Sequence, residues 1–356
     1  MTRRAGPLRL PLLAGLPLAA LLLAGCPDLL ARFGPQGTGP AGDGFALAPP
    51  PAGQGVQIRI GPFDVPEGKE LQQNFYMKLA ADEDVDVNRV EIAMRDGSHH
   101  LNLFKSPTED VPDKVEATFD AVAFEKYDLF AGNQNRSLDW KLPRSVGMHF
   151  KARNQLIIQS HYVNAGTQRT PGKGEALINL WFARPGEVTQ RMGTLFANNT
   201  RLADNPLAPN STGSYSMNFT WNRDIHVAAL TGHFHSRGKR FTTYTWDGAK
   251  AGEMFYQSAN WEEPPFKILD GLGLPIASGS GVQFVTEYEN RSNVRIGFGP
   301  WVDVESTPPE KFKDGVCPCE HANLFLYYYP ANPRKELLHS VNRNDTTEET
   351  AAAKGG

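Results

Sequence analysis

The sequence predicts an all-β protein built as two consecutive antiparallel β-sandwich domains of jelly-roll-like form. Short runs rich in β-branched and aromatic residues recur through the middle of the chain: "VQIRIGPFDV", "VNRVEIAM", "QLIIQSHYV", "EALINLWFA", "YSMNFTW", "IHVAALTGHFH", "RFTTYTW", "VQFVTEYEN" and "NLFLYYYP". Each run is bounded by Gly, Pro, Asn or Asp, which interrupt strands and make turns. Long helical periodicity is missing, and only "DAVAFEKYDLF" would support a turn or two of helix. Short strands separated by turns pack as sandwiches or jelly rolls, whereas a parallel sheet needs helices between its strands.

The ends of the chain are of different composition. Met1-Thr-Arg-Arg is positively charged, Leu10 to Leu23 is apolar, and Leu23-Ala24-Gly25-Cys26 closes the stretch in the small-residue pattern of a bacterial lipoprotein signal. The apolar stretch is short for a membrane span and is followed at once by this cleavage-like site. Residues 1–26 are therefore expected to be a signal peptide ending at Cys26, which would be lipidated and would tether the mature chain to a membrane. That places the protein outside the cytoplasm, on the periplasmic side of a bacterial membrane or on the cell surface. Residues 27–55 are Gly-, Pro- and Ala-rich and read as a linker. The two domains are expected at 56–185 and 186–330, with the boundary at the turn signal Arg184-Pro185-Gly186-Glu187. Residues 331–356 are polar, end in "TTEETAAAKGG" and are expected to be a disordered tail.

Charge and cysteine content exclude some classes. The formal net charge is −3 over 356 residues with no basic stripe, so nucleic acid is not an expected partner. With Cys26 committed to lipid, only Cys317 and Cys319 remain of the three cysteines. A disulfide framework is thereby excluded, and stability must come from burial. The Cys317-Pro318-Cys319 pair is read as a local disulfide or a thiol pair, with soft metal ligation the less favoured alternative.

The histidines carry the chemical signal. Of nine, five fall in three motifs: "GSHHLNLF" with His99 and His100, "IIQSHYV" with His161, and "TGHFH" with His233 and His235; a sixth, His321, lies in "CPCEHANLFLYYY". Side chains two apart on a strand share a face, so His233 and His235 can chelate one ion. Adjacent His99 and His100 would point apart on a regular strand and need a bulge or turn, for which Asp96-Gly97 supplies a break. Neutral imidazole suits both copper and zinc. His226 is an odd seven residues before His233 and would face the other way on one uninterrupted strand, which assigns it to packing or to a hydrogen bond behind a ligand.

Motifs in this order resemble the copper type II, ascorbate-dependent monooxygenase family, which includes peptidylglycine alpha-hydroxylating monooxygenase and dopamine beta-monooxygenase. "SHHLNLF" and "QSHYV" stand where the family's first domain has its copper-binding histidines, and "IHVAALTGHFHSRGK" is similar to the family's H-T-H segment, including Gly238 and Lys239. The resemblance implies two copper ions per chain, one on each domain: one held by His99, His100 and His161, the other by His233, His235 and His321. The second set would be the catalytic one. It further implies dioxygen and a small organic molecule as substrates, hydroxylation of an activated C–H bond, ascorbate or another one-electron reductant as cosubstrate, and Asn323 as a substrate-side residue.

The departures from the family pattern are specific. His321 stands where the family places a methionine, Ser106 and Ala322 stand where it places cysteines, and Thr231 and Phe325 occupy two positions of its substrate-carboxylate clamp. Imidazole supports Cu(II) as well as Cu(I), unlike a thioether. The alternative expectation is therefore a lipid-anchored extracytoplasmic copper-binding or electron-transfer protein without oxygenase activity.

Overall fold

Nearly every apolar run of the sequence becomes a strand, because alternating or continuous β-branched and aromatic residues satisfy the pleat while their backbone groups pair with neighbours. The structure is a computed structural model that describes residues 45–67, 70–106, 108–119, 122–123, 126–164, 172–299, 309–332, 341–343 and 349–350. The expected signal peptide with Cys26, and the linker before Phe45, lie outside the described residues. Among the described residues no helix is long and apolar enough to cross a membrane.

The protein is all-β, with several antiparallel sheets. Strands from Gly55 to Arg191 make two of them. In the first, Gly55–Val65, Gly172–Phe182, Val85–Met94, Val146–Phe150 and Gln190–Arg191 lie side by side, and Ser137–Lys141 also pairs with Val85–Met94. In the second the order is Lys114–Ala117, Glu70–Lys78, Gln155–Val163, Ser98–Ser106 and Asp128–Asn133. Strands from Gly193 onward make two more. One runs Lys267–Ile268, Ile225–Phe234, Ala322–Pro330, Gly193–Asn199 and Val341–Arg343, with Leu274–Ile276 also beside Ile225–Phe234; the other runs Ala251–Ser258, Gly238–Trp246, Gly281–Asn290, Ser211–Thr220 and Glu349–Thr350. A small parallel pair joins Arg295–Phe298 to Val316–Glu320. Within the region expected as a tail, Val341–Arg343 and Glu349–Thr350 therefore pair as short strands.

Strand Ala322–Pro330 joins the two halves of the chain. All nine of its residues are buried. Ala322, Leu324, Leu326 and Tyr328 point into the second half's core with Leu195, Ala197, Val227, Leu230 and Phe284. The alternate residues Asn323, Phe325, Tyr327 and Tyr329 face the other way, as the period of two requires. On that face Tyr327 packs 4.7 Å from Trp140 of the first half, and its Oη accepts the Gly132 N–H at 2.7 Å. A continuous apolar run buried on both faces is what such a central strand demands.

Two register irregularities set the histidines. One falls between Ser98 and His100 on the strand beside Gln155–Val163, so His99 is the inserted residue and His100 sits opposite His161. The turn before it uses Gly97 at φ 87°, a left-handed conformation open to glycine. The other falls between Val227 and Ala229 in the pairing with Ala322–Pro330. Core residues are Ile225 and Val227 before it but Leu230 and Phe234 after it, so the strand changes phase there.

Replacing Tyr327 with Phe should strand the buried Gly132 N–H and cost about 1–3 kcal/mol of unfolding free energy, the usual penalty for an orphaned buried donor. Urea unfolding checks this, and a loss below about 0.5 kcal/mol would mean that the hydroxyl does not join the halves.

Candidate metal centre

The two adjacent strands Ser98–Ser106 and Gln155–Val163 bring the first three histidines together. Ring centroids are 5.3 Å apart for His99 and His100, 5.2 Å for His99 and His161, and 4.9 Å for His100 and His161. Of the second three, His233 lies near the end of Ile225–Phe234, His235 directly follows that strand and His321 directly precedes Ala322–Pro330, and the register of the two strands sets His233 opposite Asn323. His233 and His235 are 5.2 Å apart, His233 and His321 5.0 Å, and His235 and His321 4.2 Å. The two trios also meet: His233 lies 6.0 Å from His99 and 5.8 Å from His100. Two sites expected on separate domains thus form one patch of six imidazoles.

Hydrogen bonds fix which nitrogen carries the proton. His233 Nδ1 lies 2.8 Å from Gln134 Oε1, and the Gln134 amide is oriented because its Nε2 donates to the Gly232 carbonyl at 3.0 Å. His235 Nδ1 lies 3.1 Å from the Cys319 carbonyl, and His321 Nδ1 lies 3.0 Å from the Gly299 carbonyl. All three partners are acceptors, so each Nδ1 is the donor and each Nε2 keeps its lone pair. One ring nitrogen from each of these histidines lies within 4.8 Å of the others, a spacing able to hold a metal ion. A Cβ on Gly299 would come within 2.2 Å of the Pro318 carbonyl, so this close approach requires glycine.

The first trio is arranged differently. Glu70 Oε2 accepts from His161 Nε2 at 3.1 Å, which leaves His161 Nδ1 to accept from His100 Nε2 at 3.2 Å. His100 Nδ1 is then a bare lone pair, buried without a hydrogen-bond partner among the described residues. Such an orphaned acceptor in a patch of imidazoles fits a missing electrophile such as a metal ion. The second trio presents three nitrogens free of competing bonds, whereas the first engages two of its rings with each other.

Burial keeps the rings neutral. It lowers His99 to about 4 and holds His100, His233 and His235 well below the ordinary imidazole value, with repulsion from neighbouring histidines adding to the effect. His321 is lowered by burial as well. Neutral imidazole is the form that binds metal.

The remaining candidates have clear places. His226 shares the face of His233, because the irregularity at Val227/Ala229 cancels the odd spacing that predicted the opposite face. It stacks 5.4 Å from Tyr329 rather than joining a trio. Asn323 is buried beside His233, and its Oδ1 and that of Asn198 in the next strand have no partner among the described residues. Cys317 and Cys319 are reduced thiols in the second half's core, and burial raises the Cys319 thiol far above its ordinary value. Their contribution to the centre is the Cys319 carbonyl. Ser106 caps a turn by accepting the Thr108 and Glu109 amides at 3.3 and 3.2 Å.

Gln134, Glu70 and Trp261 carry no local motif. Trp261, whose ring is 6.0 Å from His99, reaches from the second half to the first trio, and Gln134 reaches the opposite way. Only the long-range pairing reveals them.

No family model and no curated protein matches this chain. Among solved structures, PNGF-II in a P21 crystal form aligns over 78% of this chain at 9% identity and a TM-score of 0.26, and in a C2 form over 81% at 10% identity and 0.26. The chain spans 60% and 61% of those chains. A structure of infectious bursal disease virus Gt strain aligns over 86% of this chain and 79% of its own, at 8% identity and a TM-score of 0.17. Similarity this low brings neither a fold assignment nor a function to this chain.

Two outcomes are expected. On sub-stoichiometric addition of Cu(II) or Zn(II) the second trio should fill before the first, so His235→Ala should remove the tighter of two binding events and His161→Ala the weaker; the reverse order would contradict the nitrogen assignment. The metal-free protein should also lose stability as pH falls from about 6.5 toward 4. In that window the unfolded chain protonates rings that the folded one keeps neutral, at about 1.4 kcal/mol per pH unit for each ring withheld. Urea midpoints measured across the window should fall, and less steeply for His235→Gln. A constant midpoint would show that the rings protonate in the folded state.

Proposed function

We propose that this chain is a copper-dependent monooxygenase that hydroxylates an activated C–H bond of a small organic substrate, using dioxygen and an external one-electron reductant such as ascorbate. The carrying observation is the second trio, with His233 and His235 buried and His321 half-buried, and with all three Nδ1 protons committed to oxygen acceptors. Two antiparallel sandwich domains of jelly-roll-like form fit this reading, since among the described residues no sheet takes strands from both Gly55–Arg191 and Gly193–Thr350. Bound copper would supply one-electron redox chemistry and dioxygen activation at the second trio, and electron storage at the first.

The chain's own part is to hold, orient and exclude. Burial favours the neutral form of His99, His100, His233, His235 and His321, and the near contact of His233 with His99 and His100 gives a short path between the two trios. Phe298 packs 6.2 Å from His321 and Trp261 lies 6.0 Å from His99, so each trio has an aromatic neighbour. Asn323 and Asn198 offer unpaired amide oxygens beside His233, suited to a hydroxyl or amine group of a substrate. Thr231 and Phe325 provide no cation for a carboxylate. A neutral or amine-bearing substrate is therefore a better fit than an acid-terminated peptide.

The alternative, a lipid-anchored copper-binding or electron-transfer protein, is favoured by one feature: an imidazole rather than a thioether at position 321, which supports Cu(II) as well as Cu(I). Oxygen consumption separates the two. The protein beginning after Cys26, loaded with copper and given ascorbate, should consume oxygen in proportion to a hydroxylated product from a panel of small C–H substrates, and His235→Ala should abolish this. Two bound coppers that reduce and reoxidise with no substrate-dependent uptake would overturn the oxygenase reading in favour of electron transfer.

A further inference from the structure

The three protons that define the second trio are not held alike. His235 and His321 donate to main-chain carbonyls of their own half, at Cys319 and Gly299. His233 donates to a side chain of the other half, Gln134, which is 5% exposed. Gln134 follows the edge strand Asp128–Asn133, and the segment Gly132-Asn133-Gln134-Asn135 is bound to the second half along its length. Gly132 N–H donates to Tyr327 Oη at 2.7 Å, Gln134 Nε2 to the Gly232 carbonyl at 3.0 Å, and Asn135 Nδ2 to the Pro264 carbonyl at 3.2 Å.

We propose that Gln134 is a positioning residue for metal capture: from the first half it locks His233 of the second into the tautomer whose bare nitrogen is Nε2. The inference rests on the reading of the second trio as a metal site. An imidazole without a committed Nδ1 proton divides between two tautomers and several ring angles, and only one combination offers its lone pair to the other two histidines. Because the Gly232 carbonyl holds the amide the right way round, Gln134 can only accept at His233. Metal capture in one half thereby depends on the seating of the other, and by linkage a bound ion strengthens that seating.

The test compares Gln134→Leu, which removes the acceptor at similar size, with Gln134→Glu, which keeps an acceptor for His233 and gives up the donor to Gly232. In the metal-free chain, two-bond nitrogen–proton correlation spectra should show His233 with its proton on Nδ1 in the wild type and in Gln134→Glu, and as a mixture in Gln134→Leu. Competitive titration with Zn(II) should show second-trio affinity falling about 10- to 100-fold in Gln134→Leu, the usual effect of losing a partner behind a metal-binding histidine. First-trio affinity should be unchanged, and Gln134→Glu should bind at least as tightly as the wild type within about threefold. A Gln134→Leu protein with the wild-type tautomer and affinity would overturn the proposal. So would an equal loss at both trios with a lowered unfolding midpoint, which would assign Gln134 to docking alone. If the wild-type second trio took up no metal, the functional reading would fail, while the tautomer spectra would still decide the role of Gln134.

Discussion

The structure depends on a strand that has no solvent side. Residues Ala322 to Pro330 are buried throughout, with alternate side chains committed to two different packings. One set completes the second half's core. The other meets Trp140 and the Gly132 amide of the first half. A strand held on both faces cannot slip by one residue without exchanging the two sets, so its register is strongly specified. Asn323 lies at the start of this strand and His321 immediately before it, and their placement follows from that register.

Each trio is completed by the half of the chain that does not carry it. Trp261 packs on His99 from the second half, and Gln134 binds His233 from the first. The trios nonetheless differ in readiness. In the first, Glu70, His161 and His100 form a hydrogen-bonded row that ends in a bare His100 Nδ1. In the second, every Nδ1 proton is led outward to an oxygen, so the lone pairs are left inward. This asymmetry comes from the partners behind the rings, since all six side chains are imidazoles.

Burial has two consequences for this patch. It favours the neutral, metal-competent form of His99, His100, His233, His235 and His321, and it makes any proton placed on them costly. The thiols are treated in the opposite way to ligands: Cys317 and Cys319 face the apolar core, burial holds the Cys319 thiol protonated, and the centre uses only the Cys319 carbonyl. A soft sulfur donor is therefore kept apart from a centre built of imidazole nitrogen and amide oxygen.

The sequence by itself determined the all-β class, the identity of most strands and the shared face of His233 and His235, because alternation, turn residues and H-x-H spacing are local patterns; the division of six histidines into two trios was implied by the family resemblance. It also showed that His99 and His100 need an irregular strand, since adjacent side chains on a regular one diverge. The face of His226 was not legible: the inserted residue near Ala228 exists only in the pairing with Ala322–Pro330, and it reverses the parity counted along the chain. Nor were Glu70, Gln134 and Trp261, ordinary residues made specific by partners 91, 99 and 162 positions away, the last being the separation of Trp261 from His99. Tertiary structure alone decided that the two histidine sets meet and which nitrogen of each ring is bare, because both depend on how the halves seat against each other, and no local run of residues encodes that contact.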